Sequence, residues 1–372
     1  MAGIYIHIPF CKQACSYCDF HFSTTFTKYR NELIDTICHE IHQENAYLEE
    51  QVVDTIYFGG GTPSLLESNE INQILTSVSD NFKLTKLPEI TLEANPDDIN
   101  VVSLENWRKS GINRLSIGLQ SFHQEDLDWM NRAHTAKESY DAVKMARKYG
   151  FNLTIDLIYG LPKSNLSKLQ KNLEKAIELE PDHISAYCLT IEQSTALHKW
   201  VENGKIEPAD EDEQADQFSF LVDYLSQRGF YQYEISNFAK EEAYSRHNSN
   251  YWRGIHYLGI GPSAHSFNGT SRRWNVANNK KYIAKITSKD DHFETETLTK
   301  EDQFNEYLMT GLRTVWGVNL KLLEQIKMTN VDFSNQLAKF EKQGLIERKK
   351  DSIRLTAAGK LRADGIAAAL FA

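Results

Sequence analysis

Three cysteines near the start of the chain have the spacing of an iron–sulfur loop. Cys11, Cys15 and Cys18 form a C-x3-C-x2-C run that follows a short apolar stretch and Pro9. A 4Fe-4S cluster usually takes four cysteine ligands, so three thiolates leave one iron open to a small molecule that brings its own donor atoms. The alternatives are buried hydrophobic cysteines or a zinc knuckle, but zinc prefers paired C-x2-C units, and no second pair is present. The spacing therefore predicts a 4Fe-4S cluster with one open iron.

The elements that would position this loop alternate between strand and helix. Short apolar runs predict six strands, at residues 4–8, 55–58, 90–94, 115–119, 153–158 and 183–187. Stretches of helical period lie between them, at residues 29–48, 70–78, 103–109, 137–149 and 166–177. Six βα units predict an α/β fold whose parallel sheet closes most of a barrel.

Distinctive residues follow the predicted strands, where such folds collect their ligands. They are Cys11 after the first strand, residues 59–61 (Gly-Gly-Gly) after the second, Glu93 on the third, Gln120 after the fourth and Asp156 on the fifth. This placement supports the cluster interpretation independently of the cysteine spacing.

The remaining chain changes character twice. Residues 191–295 predict an α+β extension of the partial barrel at 1–190, with a strand at 231–235. The acidic run at 207–216 is typical of a solvated face. Residues 296–372 predict helices followed by a hairpin, as in a winged-helix-like domain. Such wings often bind DNA, but one basic patch, residues 348–350, in an acidic protein favours a structural or lid role.

Composition limits the function classes. The 372 residues are 41% hydrophobic and 25% charged, which is typical of a globular protein. A net charge of −10 argues against nucleic-acid binding as the main task. Five cysteines, three of them within eight residues, do not fit a secreted disulfide framework. The first residues do not resemble a signal peptide, so we expect a cytoplasmic protein, with peripheral membrane contact left open.

The run YIHIPFCKQACSYCDF strongly resembles the radical S-adenosylmethionine (SAM) enzymes, in the branch related to oxygen-independent coproporphyrinogen III oxidase. Within that branch the chain is most similar to the HemW-type haem chaperones. The resemblance implies a partial (β/α)6 barrel and a SAM molecule that binds the iron without a cysteine ligand.

The resemblance also implies the residues that hold SAM. Gly60, Gly61 and Thr62 match the segment that binds the SAM amino group, and Glu93 matches the residue that accepts hydrogen bonds from the ribose hydroxyls. Arg132 would pair with the SAM carboxylate. The other matching positions are Tyr5, Phe20, Gln120 and Asp156.

Two departures separate this chain from the coproporphyrinogen-oxidising enzymes. Those enzymes carry a further cysteine two residues after the third ligand, where this chain has Asp19-Phe20. They also carry an N-terminal extension, which we expect to be missing here. Both departures match the chaperone branch, and we expect no coproporphyrinogen oxidase activity and no catalytic residue.

A haem chaperone needs a ligand for haem iron, and histidine is the commonest one. His247 begins His-Asn-Ser-Asn-Tyr-Trp, which matches the HNxxYW motif of HemW-like chaperones, and His265 is a second candidate. The alternative for His247 is a hydrogen-bonded structural histidine.

The sequence thus predicts a haem chaperone that carries a 4Fe-4S cluster and SAM and passes haem to haem-requiring proteins such as respiratory enzymes. A homodimer is left open. The enzymatic alternative is a coproporphyrinogen III dehydrogenase, in which a SAM-derived radical would abstract hydrogen from propionate side chains.

Overall fold

The computed structural model describes residues 1–49, 51–326 and 331–372. Its first half alternates strands and helices. Their bounds are β1 (Ala2–Ile8), α1 (Arg30–Gln43), β2 (Val53–Gly60), α2 (Ser68–Asn81), β3 (Leu84–Ala94), α3 (Val101–Lys109), β4 (Arg114–Gln120), α4 (Gln124–Trp129), α5 (Ala136–Lys148), β5 (Asn152–Tyr159), α6 (Leu166–Glu178) and β6 (His183–Cys188).

The strands β1 to β6 are neighbours in chain order, and each pair is parallel. Most residues of these strands are buried, and Ile4, Ile6 and Ile8 of β1 have no exposed surface. The predicted α/β fold with six βα units is confirmed. Capping residues set the helix starts, as where Asn165 accepts a hydrogen bond from the Lys168 backbone at the start of α6.

The middle of the chain extends this sheet on both edges. Its elements are α7 (Ala196–Glu202), α8 (Glu211–Ser226), β7 (Tyr231–Gln232), β8 (Asn237–Ala239), α9 (Arg246–Trp252), β9 (Tyr257–Ile260), β10 (His265–Phe267), β11 (Ser271–Asn275), α10 (Asn279–Ser288) and β12 (Phe293–Thr297). The full strand order is β12-β11-β10-β9-β1-β2-β3-β4-β5-β6-β8-β7. The sheet thus runs across residue 190, and the division of the chain at 190 and 295 stays a prediction.

Three local expectations differ from the structure. The strand β9 pairs in parallel with β1, so the parallel set has seven strands, where six were predicted. The strand expected at residues 231–235 ends at Gln232 because the Glu234 carboxylate accepts hydrogen bonds from the Ser236 and Asn237 amides and closes a turn. The first long helix ends at Gln43 and does not reach residue 48.

The last part of the chain has its own core and its own three-stranded sheet, in the order β13-β15-β14. Its elements are α11 (Lys300–Leu312), β13 (Val318–Asn319), α12 (Leu320–Gln325), α13 (Val331–Lys342), β14 (Ile346–Lys349), β15 (Ser352–Leu355), α14 (Ala357–Lys360) and α15 (Ala363–Leu370). The helices followed by a hairpin are as expected, and the finer winged-helix-like description stays a prediction.

This C-terminal domain packs against the sheet extension. The Val315 backbone N–H donates to the Tyr233 carbonyl at 2.9 Å, and Arg272 forms a two-bond ion pair with Glu306 of α11. Within the described residues, no helix combines the length and the apolar character that crossing a bilayer requires.

Candidate cluster, cofactor and cargo site

The cysteine loop leaves β1 at Pro9 and is tied to the barrel on both sides. The Cys11 N–H donates to the Ser23 carbonyl at 3.1 Å, and the Ser16 N–H donates to the Met130 carbonyl at 3.1 Å. The Asn131 side-chain amide also donates to the Ala14 carbonyl at 2.7 Å. The loop is therefore held in place by the protein's own hydrogen bonds.

The three predicted ligands are free, half-buried thiols near one another. The Thr62 hydroxyl lies 3.5 Å from Cys11 Sγ, and an Arg132 guanidinium nitrogen lies 3.4 Å from Cys15 Sγ. Burial raises the pKa of Cys11, and it raises the pKa of Cys18 to about 12. Iron ligation would therefore release protons from these thiols.

Among residues 1–49, 51–326 and 331–372, no three His, Cys, Asp or Glu side chains converge closely enough to hold one metal ion. A 4Fe-4S cluster does not need such convergence, because each cysteine binds a different iron. The sulfur donors, their flanking donors and the loop anchors suit a cluster.

The glycines after β2 form a cradle that side chains would fill. Gly60 has φ +109°, and a Cβ there would lie 2.7 Å from the His7 ring. A Cβ on Gly61 would lie 2.6 Å from the Phe10 carbonyl, at the start of the cysteine loop. Register pairs Ile8 with Gly60, so residues 60–62 lie beside the loop. The structure thus places Gly60, Gly61 and Thr62 next to the cysteine loop, and their binding of SAM stays a prediction.

Two carboxylates lie near each other, and one of them bonds to this glycine segment. Glu93 accepts hydrogen bonds from the Tyr57 hydroxyl at 2.8 Å and from the Gly60 N–H at 3.2 Å. Asp156 accepts from the Ser116 hydroxyl at 3.2 Å. Burial raises the pKa of Glu93 to about 7, and the nearby Asp156 adds to that rise. Burial raises the pKa of Asp156 to about 6. Both groups are poised to accept donors from a ligand.

Gln120 and Arg132 lie together at the end of β4. Gln120 has φ +67°, an unusual conformation for a residue with a side chain, and it follows a register shift in β4. Arg132 donates to Asn95 Oδ1 at 2.6 Å and to the Gly118 carbonyl at 3.0 Å. Arg132 Nε is buried and has no partner in the described structure, so one donor is left for an anionic group. This orphaned donor, the glycine cradle and the two carboxylates fit a SAM molecule.

Tyr5 and Phe20 differ in their surroundings. The Tyr5 hydroxyl lies 3.2 Å from His7 Nδ1, and its ring stacks against Tyr57 at a centroid distance of 6.1 Å. Phe20, two residues after the last cysteine of the loop, is 66% exposed.

A large cavity lies beside the cysteine loop, between the sheet and the C-terminal domain. Its volume is about 770 Å³, within the usual range for a ligand site. Residues of β1, the cysteine loop, α9, β9 to β11 and the C-terminal helices line it; the ring-bearing ones are Tyr5, His7, Phe20, His21, Tyr251, Trp252, Tyr257, His265, Phe267 and Tyr307. An aromatic wall of this kind suits a flat, largely apolar ligand.

His247 does not present a nitrogen to this cavity. The side chain is 2% exposed, with Nδ1 2.8 Å from the Thr55 hydroxyl and Nε2 3.0 Å from the Tyr251 hydroxyl. Burial lowers its pKa to about 3, so the ring is neutral. An iron could reach it only if one of these hydrogen bonds broke. The geometry gives His247 a bridging position between β2 and α9, and its predicted ligation of haem iron stays a prediction.

Sequence reasoning missed two residues of the pocket. Asn95 bonds to Arg132 and lies 3.4 Å from the Thr62 hydroxyl, and Tyr57 bonds to Glu93. Asn95 directly follows β3, so the strand-end rule that selected Glu93 could have found it. Tyr57 carries no such signal, because its position within an apolar strand suggests packing alone.

Comparisons with known proteins identify families and relatives that are similar to this chain. A model of the radical SAM superfamily matches residues 5–176, and a model of the HemN C-terminal domain matches residues 298–362. Heme chaperone HemW of Bacillus subtilis (strain 168) is 32% identical over 366 residues, which cover 97% of this chain and 97% of that protein. Heme chaperone HemW of Escherichia coli (strain K12) is 37% identical over 267 residues, 71% of this chain and 69% of that protein.

A solved structure shares the fold over the whole chain. The radical SAM enzyme coproporphyrinogen III oxidase (HemN) from Escherichia coli superposes with a TM-score of 0.86 and 24% identity, over 100% of this chain and 90% of that one.

Proposed function

The chain belongs to the family of heme chaperone HemW proteins within the radical SAM superfamily, and from this premise we propose that it binds haem and passes it to haem-requiring proteins. The observation that carries the proposal is the aromatic cavity of about 770 Å³ beside the cysteine loop. A porphyrin is flat and largely apolar, and such a wall favours stacking and exclusion of water.

The cluster and SAM would be held by this chain's strand-end residues. Cys11, Cys15 and Cys18 would supply the thiolates, and the glycine cradle with Thr62 would take the SAM amino group. Arg132 would use its unpartnered Nε for the SAM carboxylate. Gln120 and Asp156 would complete the polar wall, and Tyr5 and Phe20 would border it on the cavity side.

Glu93 has a specific part in this arrangement. Its carboxylate is held by Tyr57 and Gly60, which leaves acceptor positions for two ribose hydroxyls. A bound cluster with SAM supplies one-electron chemistry in this superfamily. In this protein we assign the pair a structural or regulatory part in the state that holds haem.

The proposal extends to partners and location. Haem is the cargo, and the recipients would be haem-requiring proteins such as respiratory enzymes in the cytoplasm or at the membrane face. We propose the division 1–190, 191–295 and 296–372, with the last unit as a winged-helix-like lid over the cavity. Support comes from Glu306 and Tyr307 of α11, which line the cavity together with Asp19 and Phe20 that follow the last cysteine.

The experiment reconstitutes the full chain anaerobically with iron, sulfide and SAM and titrates it with haemin. We expect a saturable Soret band and loss of that band to the apo form of a haem-requiring respiratory enzyme. A parallel reaction supplies coproporphyrinogen III and SAM with a low-potential reductant. Protoporphyrinogen formed over many turnovers would refute the chaperone function in favour of the dehydrogenase.

A further inference from the structure

Three histidines line the aromatic cavity: His7, His21 and His265. His7 has both ring nitrogens engaged. Its Nε2 donates to the His21 carbonyl at 2.8 Å, so Nδ1 accepts from the Tyr5 hydroxyl. His7 is therefore a fixed part of the wall.

His21 is partly engaged. Its Nε2 lies 2.7 Å from Asn279 Oδ1, which leaves Nδ1. Since Nδ1 lies next to the carbon that bears the side chain, a porphyrin bound there would approach the backbone closely. This makes His21 the weaker candidate for a contact with a bulky iron complex.

His265 is differently placed. It lies on β10 with Phe267, two residues away on the same face, while Ser266 between them is buried and bonds to the Gly259 backbone. His265 is exposed, and it lines the cavity. None of the hydrogen bonds formed by the described residues involves its ring nitrogens. Both nitrogens are thus open to a ligand.

The cavity offers little positive charge to a haem, so a contact with the iron would contribute much of the binding affinity. Haem carries two propionates, which a free guanidinium or ammonium would normally bind. Arg272 is the one Arg or Lys among the described lining residues. Its Nε and Nη2 donate to the Glu306 carboxylate at 2.7 and 2.8 Å, and its Nη1 lies 3.4 Å from the Tyr257 hydroxyl. Asp19 adds a further negative charge to the lining. Propionate binding inside the cavity is therefore weak, and affinity must come from the macrocycle and the iron.

We propose that His265 is an axial ligand of haem iron in this cavity, an inference that rests on the proposed haem-binding function. Its open ring nitrogens meet the iron, and Phe267 on the same face packs against the macrocycle. His247 would act indirectly, by holding the Tyr251 hydroxyl that contributes to the same wall.

The test titrates the reconstituted full chain with haemin and compares wild type, His265→Ala and His198→Ala. His198 is a matched control, since its partly exposed side chain on α7 pairs with Glu202 and does not line the cavity. We expect His265→Ala to weaken haemin binding by about tenfold or more, because loss of even an outer-shell partner of a metal ligand costs about 10–100-fold. The His198 variant should match wild type.

Two further measurements separate ligation from a structural effect. Imidazole added to His265→Ala should restore the wild-type Soret band, since it can occupy the vacated iron position. His265→Met should keep a ligand and raise the haem reduction potential. A His265→Ala variant that titrates like wild type would overturn the inference and leave the proposed function standing. Loss of the Soret band in His21→Ala or His247→Gln would then assign the iron ligand to that histidine instead. A wild-type protein that binds no haemin would refute both.

Discussion

Replacing Glu93 by Gln tests the free-energy cost of ionising this carboxyl in the folded protein. In the folded protein the pKa of the Glu93 carboxyl is raised to about 7, whereas in the unfolded chain its pKa is 4.5. Between these values the unfolded state binds fewer protons, so the free energy of unfolding falls as pH rises. Above pH 7 the cost is fully present, and Glu93→Gln removes it.

The magnitude follows from the shift of about 2.5 pH units. At about 1.36 kcal/mol per unit the full cost is about 3 kcal/mol. The side chain keeps some contact with solvent in its pocket, which screens the charge, so we expect about 2 kcal/mol. Gln can keep the acceptor for the Gly60 N–H and donate to the Tyr57 hydroxyl, so its packing is preserved.

The assay is urea unfolding of the cluster-free protein at pH 5, 6, 7 and 8. The difference in unfolding free energy, Glu93→Gln minus wild type, should rise by about 2 kcal/mol from pH 5 to pH 8, with most of the change below pH 7. Titrating groups that do not interact with Glu93 cancel in this difference, and Asp156, which does interact with it, contributes to the same change. A difference that stays constant across the pH range would refute the assignment of a buried, reluctantly ionised carboxyl.

Two further predictions concern the cluster and the core. The predicted cluster ligands are Cys11, Cys15 and Cys18. Replacing any one of them by Ala should remove the iron, about four atoms per chain, and the visible chromophore, whereas Cys38→Ala should keep both. Iron retained in all three variants would contradict the cluster. Buried Glu40 accepts hydrogen bonds from the Gly261 backbone and from the side chains of Asn275, Tyr282 and His292. Glu40→Ala should therefore lower the free energy of unfolding, measured by urea titration, by at least about 3 kcal/mol. Replacing the exposed Glu32 on the same helix by Ala should change it by less than about 0.5 kcal/mol. Equal effects of the two variants would contradict this packing.

Local patterns in the sequence predicted most of the barrel. Strands at residues 4–8 and 153–158 form almost where the apolar runs lie, because strands buried on both faces must be continuously apolar. The strand-end rule placed Glu93, Gln120 and Asp156 at one edge of the sheet, since parallel strands all point their carboxyl ends the same way. The strand β9 was missed because its short run, Tyr257–Ile260, contains Gly259 and has no distinct apolar period.

The cavity could not be predicted in the same way. It unites β1, β10 and α11, and its Arg272–Glu306 ion pair joins residues 34 positions apart across two domains. His247 shows the limit most clearly. Its motif identified a family feature, but whether its ring faces a ligand or the core depends on Thr55 and Tyr251, which only folding brings to its two nitrogens.

The sequence by itself determined the chemistry at the start of the chain: three thiols within eight residues, followed by strand-end residues suited to a small ligand. A cysteine loop is local, so its spacing survives in any fold that the chain adopts. The tertiary structure alone decided which histidine nitrogens have a hydrogen-bond partner. The packing of distant elements consumes the hydrogen-bonding capacity of His7 and His247 and leaves that of His265, and no sequence pattern records which partners a side chain will meet.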